Sequence, residues 1–426
     1  MRVEPLKFFA FYYYTVMTYL SNKNVNFIAF LWHAVFLALA ATFTNINTIL
    51  PSMVVKSGGS NFQVGLLTAI MVGTPIIGQL LFASYLHLKG RKKPFLLLGI
   101  NLRVLALALV SLILWQTGRY SESSTIVFIF ALMFIFAISG TFADVSYTDI
   151  LGKSLLVEER QAFFVWRQIL KSAAILIAAL VARRILSVLE YPANYQWLFL
   201  LAAMVLFIAS FGFWAIKEKK IQQKHESYNF IRVLKTIPHR FSNDRNLRNY
   251  IFMINFSGFG LTLLPFYVVL AKQSYGLTGK QIGAYLLLQI IGMIISNFVW
   301  ARLVKRHGFR GVFKGCIIIG TMLPLLAITL ANFPIYFYLT VFFLSGFGIS
   351  AREVSAEGIF IEISKDENRA LYRGITGAMS LSTAVFPLMA GWLIGEVGFV
   401  PVFVLSSLMV AISYYFVHGL RDVCPV

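Results

Sequence analysis

Twelve apolar stretches, each about 20 residues long, run through this chain and are joined mostly by short polar loops. At about 1.5 Å of rise per residue, such a stretch matches the roughly 30 Å hydrocarbon core of a bilayer. Because that core offers no water to backbone polar groups, each stretch has to form its hydrogen bonds within itself, as a helix. The pattern predicts an all-α polytopic membrane protein with twelve transmembrane helices.

The composition excludes several other classes. Only 13% of the residues are charged, against roughly 25% in soluble domains. The formal charge of +20 would suggest nucleic acid in a soluble protein, but here the basic residues lie in loops, so no nucleic-acid partner is expected. There are two cysteines and no metal-binding histidine cluster, so neither a metal nor a cofactor is expected. No phosphate-binding loop or nucleophile elbow is present, which argues against an ATP motor and against an enzyme.

The spans divide the chain into two halves. Spans 1–6 are predicted at about 27–50, 63–87, 94–115, 126–149, 163–186 and 195–216, and spans 7–12 begin near 249, 278, 312, 334, 372 and 399. The predicted units are an N-terminal cytoplasmic or interfacial segment (1–24), a six-helix bundle (25–216), a basic linker (217–248), a second six-helix bundle (249–418) and a tail (419–426). The apolar stretch within 1–24 follows a basic residue, as in a signal peptide, but no small-residue cleavage site follows it, so we expect an interfacial helix.

The basic residues predict the orientation. They concentrate in the loops after spans 2 and 8 and in the linker, and few lie in the loops on the other side. Because cytoplasmic loops carry an excess of Lys and Arg, both termini should be cytoplasmic. We expect a monomer in the inner membrane of a bacterium, with the lipid bilayer as its surroundings.

Short segments recur at corresponding places in the two halves. The segment 158–164 (EERQAFF) precedes span 5, and 366–372 (DENRALY) leads into span 11. Asp144-Val145-Ser146 is matched by Glu353-Val354-Ser355, and glycine with basic residues follows both span 2 and span 8. Such duplicated halves are a common construction of secondary transporters.

These features resemble the major facilitator superfamily of transporters, over about residues 25–420. Gly90-Arg91-Lys92 matches the second half of the family's loop signature, Gly-x-x-x-Asp-Arg-x-Gly-Arg-Arg, whereas His87, Leu88 and Lys305 replace residues of its charge relay. The resemblance implies alternating access, in which two bundles rock about a site near the membrane midplane. It also implies that spans 1, 4, 7 and 10 line the cavity, that 2, 5, 8 and 11 flank it, and that 3, 6, 9 and 12 lie outside.

Charged residues inside the spans are the first functional candidates, because each costs at least about 2.5–3.5 kcal/mol in the hydrocarbon region. Span 4 holds Asp144, and span 10 holds Arg352, Glu353 and Glu357. The two glutamates are four residues apart on one helix face, where they repel each other unless one holds a proton or a cation lies between them. One of them is therefore either a proton-coupling site or part of an inner gate, with Arg103, Lys171 or Arg352 as the partner.

Further polar residues complete the candidates. A cytoplasmic charge network is predicted, in which Asp149 pairs with a loop residue such as Arg91, together with Arg103, Arg160, Lys171 and Arg306. The uncharged candidates either contact the substrate or form hydrogen bonds between helices, each worth about 0.6 kcal/mol; they are His33, Asn45, Asn47, Asn255 and Gln289.

The leading functional prediction is a secondary active transporter that moves a small organic solute and is coupled to protons or another ion. A lipid or amphiphile flippase and a drug exporter of the same fold are the alternatives within transport. A non-transporting membrane receptor or an intramembrane enzyme is the alternative outside it, and the acidic pair on span 10 is the enzyme's one candidate site.

Overall fold

The computed structural model describes residues 25–87, 89–155, 157–218, 241–364 and 369–420, and nearly all of this part of the chain is helical. Predictions about the N-terminal segment, most of the linker and the tail fall outside it. The helices, in chain order, are α1 Val25–Phe43, α2 Ile49–Lys56, α3 Asn61–His87, α4 Lys93–Trp115, α5 Glu122–Ser154, α6 Val157–Val188, α7 Ala193–Ala215, α8 Arg245–Thr262, α9 Leu264–Tyr275, α10 Gly279–Leu330, α11 Ile335–Ile363, α12 Arg369–Met379, α13 Leu381–Val397 and α14 Phe399–His418.

Ten helical segments among the described residues are long and apolar enough to cross a membrane, which confirms the all-α membrane fold. One of them, the 52-residue α10, contains two predicted spans, and its backbone leaves the helical region at Gly308 (φ 63°, ψ −174°). The helix α6 corresponds to span 5 but is not among the ten. The count of twelve crossings stays a prediction.

Span 1 is not one continuous helix, as the sequence pattern predicted, because the chain breaks between α1 and α2. In the break, the Asn45 side-chain oxygen accepts hydrogen bonds from the backbone N–H groups of Asn47 (2.9 Å) and Thr48 (3.0 Å) and from the Thr48 hydroxyl (3.1 Å). An asparagine that satisfies neighbouring backbone donors favours a helix start over a helix interior. Asn45 therefore shapes the break, and Asn47 lies within it.

Span 7 is also broken, at Leu263 between α8 and α9. Pro265 lies in the first turn of α9, where its missing N–H costs nothing. Tyrosine hydroxyls hold the segments that follow both breaks: Tyr195 bonds the Ser52 hydroxyl of α2 at 2.8 Å, and Tyr338 donates to the Tyr267 carbonyl of α9 at 2.7 Å. The two halves thus share a broken first helix whose second part is fixed to its own bundle.

We expect the substitution Asn45→Ala to lower the free energy of unfolding by about 1 kcal/mol, the usual cost of losing a helix-start side chain. A thermal melt of the purified protein would measure the change. A substrate contact would instead appear as weaker solute binding at unchanged stability, and that result would contradict a structural role for Asn45.

The two halves pack as bundles that meet through α3 and α13 and through α6 and α10. A Cβ atom on Gly65 of α3 would collide with the Pro387 carbonyl of α13, and one on Gly279 of α10 would collide with the Leu186 carbonyl of α6. These contacts lie at the end of the molecule away from Lys92 and Glu218. We call that end the distal face and the end with Lys92 the basic face. The backbones of the two halves are in direct contact at the distal face.

Candidate functional site

A cavity of about 250 Å³ lies inside the N-terminal half. The fourteen described residues that line it all come from this half, on α1, α4, α5 and α6. The polar lining residues are His33 on α1, Arg103 on α4, Asp144 and Tyr147 on α5, and Arg167 and Lys171 on α6. Four predicted candidates, His33, Arg103, Asp144 and Lys171, therefore lie together at one site.

The family resemblance implied that span 3 lies outside the cavity, but α4, which is span 3, contributes Arg103 to it. Two glycines explain the position of this side chain. A Cβ on Gly99 of α4 would lie 2.8 Å from the Ser139 carbonyl oxygen, so the glycine lets α4 approach α5 closely. A Cβ on Gly140 of α5 would lie 3.3 Å from Arg103 Nε, so this position leaves room for the guanidinium. The guanidinium carbon lies 4.3 Å from the centre of the Phe136 ring, a favourable cation–π arrangement.

In the part of the lining that the structure describes, Asp144 is the one carboxylate, and its side chain is exposed. Arg103 and Arg167 are the cations that interact electrostatically with it. Sequence reasoning did not select Arg167 as a site residue. It lies four residues before Lys171 on α6, so the two side chains share one helix face, and this spacing would have indicated a basic face.

His33 is 5% exposed, and its ring lies 3.9 Å from that of Phe213, centre to centre. Within the described residues its Nδ1 atom has no hydrogen-bond partner. A buried ring nitrogen without a partner is available to a ligand or a water molecule. The structure thus brings a histidine and a carboxylate to the same cavity, 111 positions apart in the chain.

The acidic residues of α11 do not have the interaction partners that the sequence predicted. Glu357 forms an ion pair with Arg373 of α12, and both side chains are 53% exposed. Arg352 donates hydrogen bonds to the Ser257 hydroxyl and to the Ile254 carbonyl oxygen (2.8 Å) of α8. Arg352 is therefore not the partner of the glutamates, because adjacent residues of a helix face different neighbours. Arg103 and Lys171 line the N-terminal cavity, and Glu353 is exposed.

We expect Glu357→Gln to change the free energy of unfolding by less than about 1 kcal/mol, because solvent-exposed ion pairs contribute little. Denaturation of the detergent-purified variant would test this. A loss comparable to that of a core substitution would show that the Glu357–Arg373 pair contributes more than its exposure indicates.

A charge cluster lies at the basic face, but its contacts differ from the prediction. Asp149 pairs with Lys92 (3.0 Å) and Lys153 (2.5 Å), whereas the predicted partner Arg91 is exposed. The backbone explains the choice, since the N–H groups of Lys92 and Lys93 donate to the Glu218 carboxylate and so turn Lys92 inward. Among the other predicted members, Arg160 donates to the Gly152 carbonyl (2.9 Å) and Arg306 is exposed.

The uncharged candidates of the C-terminal half connect helices. Asn255 of α8 accepts a hydrogen bond from the Ser382 hydroxyl of α13 at 2.6 Å. Gln289 of α10 donates to the Ser345 hydroxyl of α11 at 3.0 Å. Both are interhelical hydrogen bonds, the structural alternative that the sequence left open.

Comparisons with known proteins agree with this architecture. The profile of the Major Facilitator Superfamily matches residues 31–247 and 250–422. The chain belongs to this superfamily of membrane transporters, which confirms the resemblance. No curated protein sequence matches the chain.

Several solved structures share the fold. A mutant of the nucleoside transporter NupG has 12% identity and a TM-score of 0.70, with 93% of this chain and 100% of that chain covered. The D-xylose-proton symporter has 12% identity and a TM-score of 0.61, with 94% and 98% covered. A bacterial homolog of the human lysosomal transporter Spinster, inward-facing and unoccupied, has 10% identity and a TM-score of 0.65, with 95% and 99% covered. At these identities the similarity shows the fold alone.

Proposed function

We propose that this protein is a secondary active transporter that moves a small organic solute by alternating access and couples it to protons. The observation that most directly supports this proposal is the carboxylate of Asp144, which is exposed in the cavity near Arg103 and Arg167. In many transporters, a carboxylate within the membrane couples transport to protons. Such a carboxylate either binds a proton or pairs with a neighbouring cation. Glu353, exposed on α11, remains the second candidate for the proton site.

The contact between the halves supports an assignment of the conformational state. The glycine contacts at Gly65 and Gly279 leave no room for even a methyl group between the bundles at the distal face. With the basic face in the cytoplasm, as the Lys and Arg distribution predicts, this arrangement corresponds to a transporter closed on its outer side. A similar fold is inward-facing in the Spinster homolog. Both termini are cytoplasmic in this proposal, and the membrane is a bacterial inner membrane.

The distribution of charge favours solute transport over the flippase alternative. Four charged side chains line the cavity, and a charged wall is a poor surface for an acyl chain. The charges suit a polar solute.

Proteoliposomes that contain the purified protein and an internal pH dye would test the proposal. Addition of a transported solute should change the internal pH, and a proton ionophore should collapse the change. If solutes of every charge class fail to move protons or themselves, the transport proposal is wrong. If a solute is transported without proton movement, the protein is a transporter but the proposed proton coupling is wrong.

A further inference from the structure

The charges that line the N-terminal cavity do not balance. Among the described residues that line it, Arg103, Arg167 and Lys171 are cations and Asp144 is the one carboxylate, so this part of the lining carries a formal charge of +2 with His33 neutral. Placing a charged side chain within the membrane costs at least about 2.5–3.5 kcal/mol. A pocket that keeps three such cations around one carboxylate is therefore suited to a ligand that brings negative charge.

Three other carboxylates of the described residues do not neutralise this site. The carboxylates of Asp149 and Glu357 are paired with Lys92 and Lys153 and with Arg373, respectively. Glu353 does not line the cavity. Within the described residues, the Nε atom of Arg103 is buried and has no hydrogen-bond partner. The guanidinium of Arg103 therefore has an N–H without a partner, and guanidinium groups are well suited to bind oxyanions.

The arrangement of the lining also favours a particular kind of anion. The cations lie on two helices, with Arg103 on α4 and with Arg167 and Lys171 one turn apart on α6. They can therefore bind an oxyanion from two sides. Much of the remaining wall is apolar and includes Leu37, Leu96 and Ile100. This wall would contact the carbon skeleton of the ligand.

We infer that the transported solute is a small organic anion, whose carboxylate or phosphate group binds Arg103 and Arg167 with support from Lys171. The inference rests on the proposed transport function. Asp144 competes with the solute for the same two arginines. Protonation of Asp144 therefore frees the arginines for the solute, so that proton binding and anion binding favour each other.

A labelling experiment tests the cavity's charge without a known substrate. Cys316 and Cys424 are replaced by Ser, and Ala41, which is exposed in the cavity, is replaced by Cys. We compare the labelling rates of 2-sulfonatoethyl methanethiosulfonate, an anion, and 2-(trimethylammonium)ethyl methanethiosulfonate, a cation. The ratio of anion to cation rates at Ala41→Cys should exceed that at Asn332→Cys, an exposed loop position, by about tenfold.

Variants identify the residues responsible. The double substitution Arg103→Gln with Arg167→Gln should return the ratio to that of the loop control, and Arg184→Gln, at an exposed position of the same α6, should leave it unchanged. A ratio at Ala41→Cys equal to the loop control would overturn the inference. So would a ratio that falls equally in all the arginine variants.

Matched solute pairs in the proteoliposome assay identify the ligand chemistry. We expect one of two results. Either succinate is transported and succinamide is not, or glucose 6-phosphate is transported and glucose is not. The first result identifies a carboxylate as the recognised group, and the second identifies a phosphate. Transport of the neutral members alone overturns the anion inference while the transporter proposal stands. If none of these four solutes is transported and the wider solute screen also fails, both the anion inference and the transporter proposal are wrong.

Discussion

The variant Asp144→Asn is expected to lose solute-driven proton movement while it retains exchange of labelled for unlabelled solute. Asparagine has the shape of aspartate but neither accepts a transported proton nor carries the charge that Arg103 and Arg167 compete for. We therefore expect the coupled rate to fall by at least about a hundredfold, at about 1.4 kcal/mol per factor of ten. The pH-sensitive dye inside proteoliposomes measures the proton movement.

The glutamates of α11 supply the controls for this prediction. Glu357→Gln should behave as the wild type, because its carboxylate is paired with Arg373 at an exposed position. Glu353→Gln separates the two candidate proton sites. If Glu353→Gln abolishes proton movement and Asp144→Asn does not, the coupling site lies in the C-terminal half.

The second large effect is expected for Gly279→Leu at the distal face. A Cβ at this position would collide with the Leu186 carbonyl, and the next glycine on the same helix, Gly283, would place its Cβ 2.8 Å from the Cα of Arg183. Since both contacts involve backbone atoms, the bundles have to separate to admit a larger side chain. The variant should be unable to close the distal face, and net transport should stop.

The measurement for Gly279→Leu is the accessibility of Ala41→Cys from the two sides of the membrane. A membrane-impermeant thiol reagent applied at the distal face should label the variant faster than the wild type. Gly395→Leu is the matched control, because the surroundings of Gly395 on α13 leave open space for a side chain. If Gly279→Leu folds and transports as well as Gly395→Leu does, the glycine contact is not required for the transport cycle.

The helical architecture was predictable because each span has to satisfy its own backbone in the membrane. The start of α4 at Lys93 and the end of α7 at Ala215 lie within one residue of the predicted bounds. The break at Asn45 was missed because the hydrogen bonds that shape it are accepted by one side chain within a long, mostly apolar segment. Hydropathy averages over such a residue and does not register it.

The partners of the charged residues were the least predictable feature. Asp149 pairs with Lys92 and not with Arg91 because Glu218, at the start of the linker, fixes the backbone of Lys92. Arg352 bonds α8, not the glutamate next to it in sequence. These choices depend on which helix faces which, and periodicity within one helix gives no information about that.

By itself, the sequence determined that the chain is an all-helical membrane protein made of two related halves, because the requirements of the hydrocarbon core act on each segment separately. Only the tertiary structure decided that Arg103, Arg167 and Lys171 surround Asp144 in one cavity. That grouping depends on the close approach of α4 to α5 at Gly99 and Gly140. Such a contact is formed between segments about forty residues apart, so it is a property of the packed bundle and not of either helix.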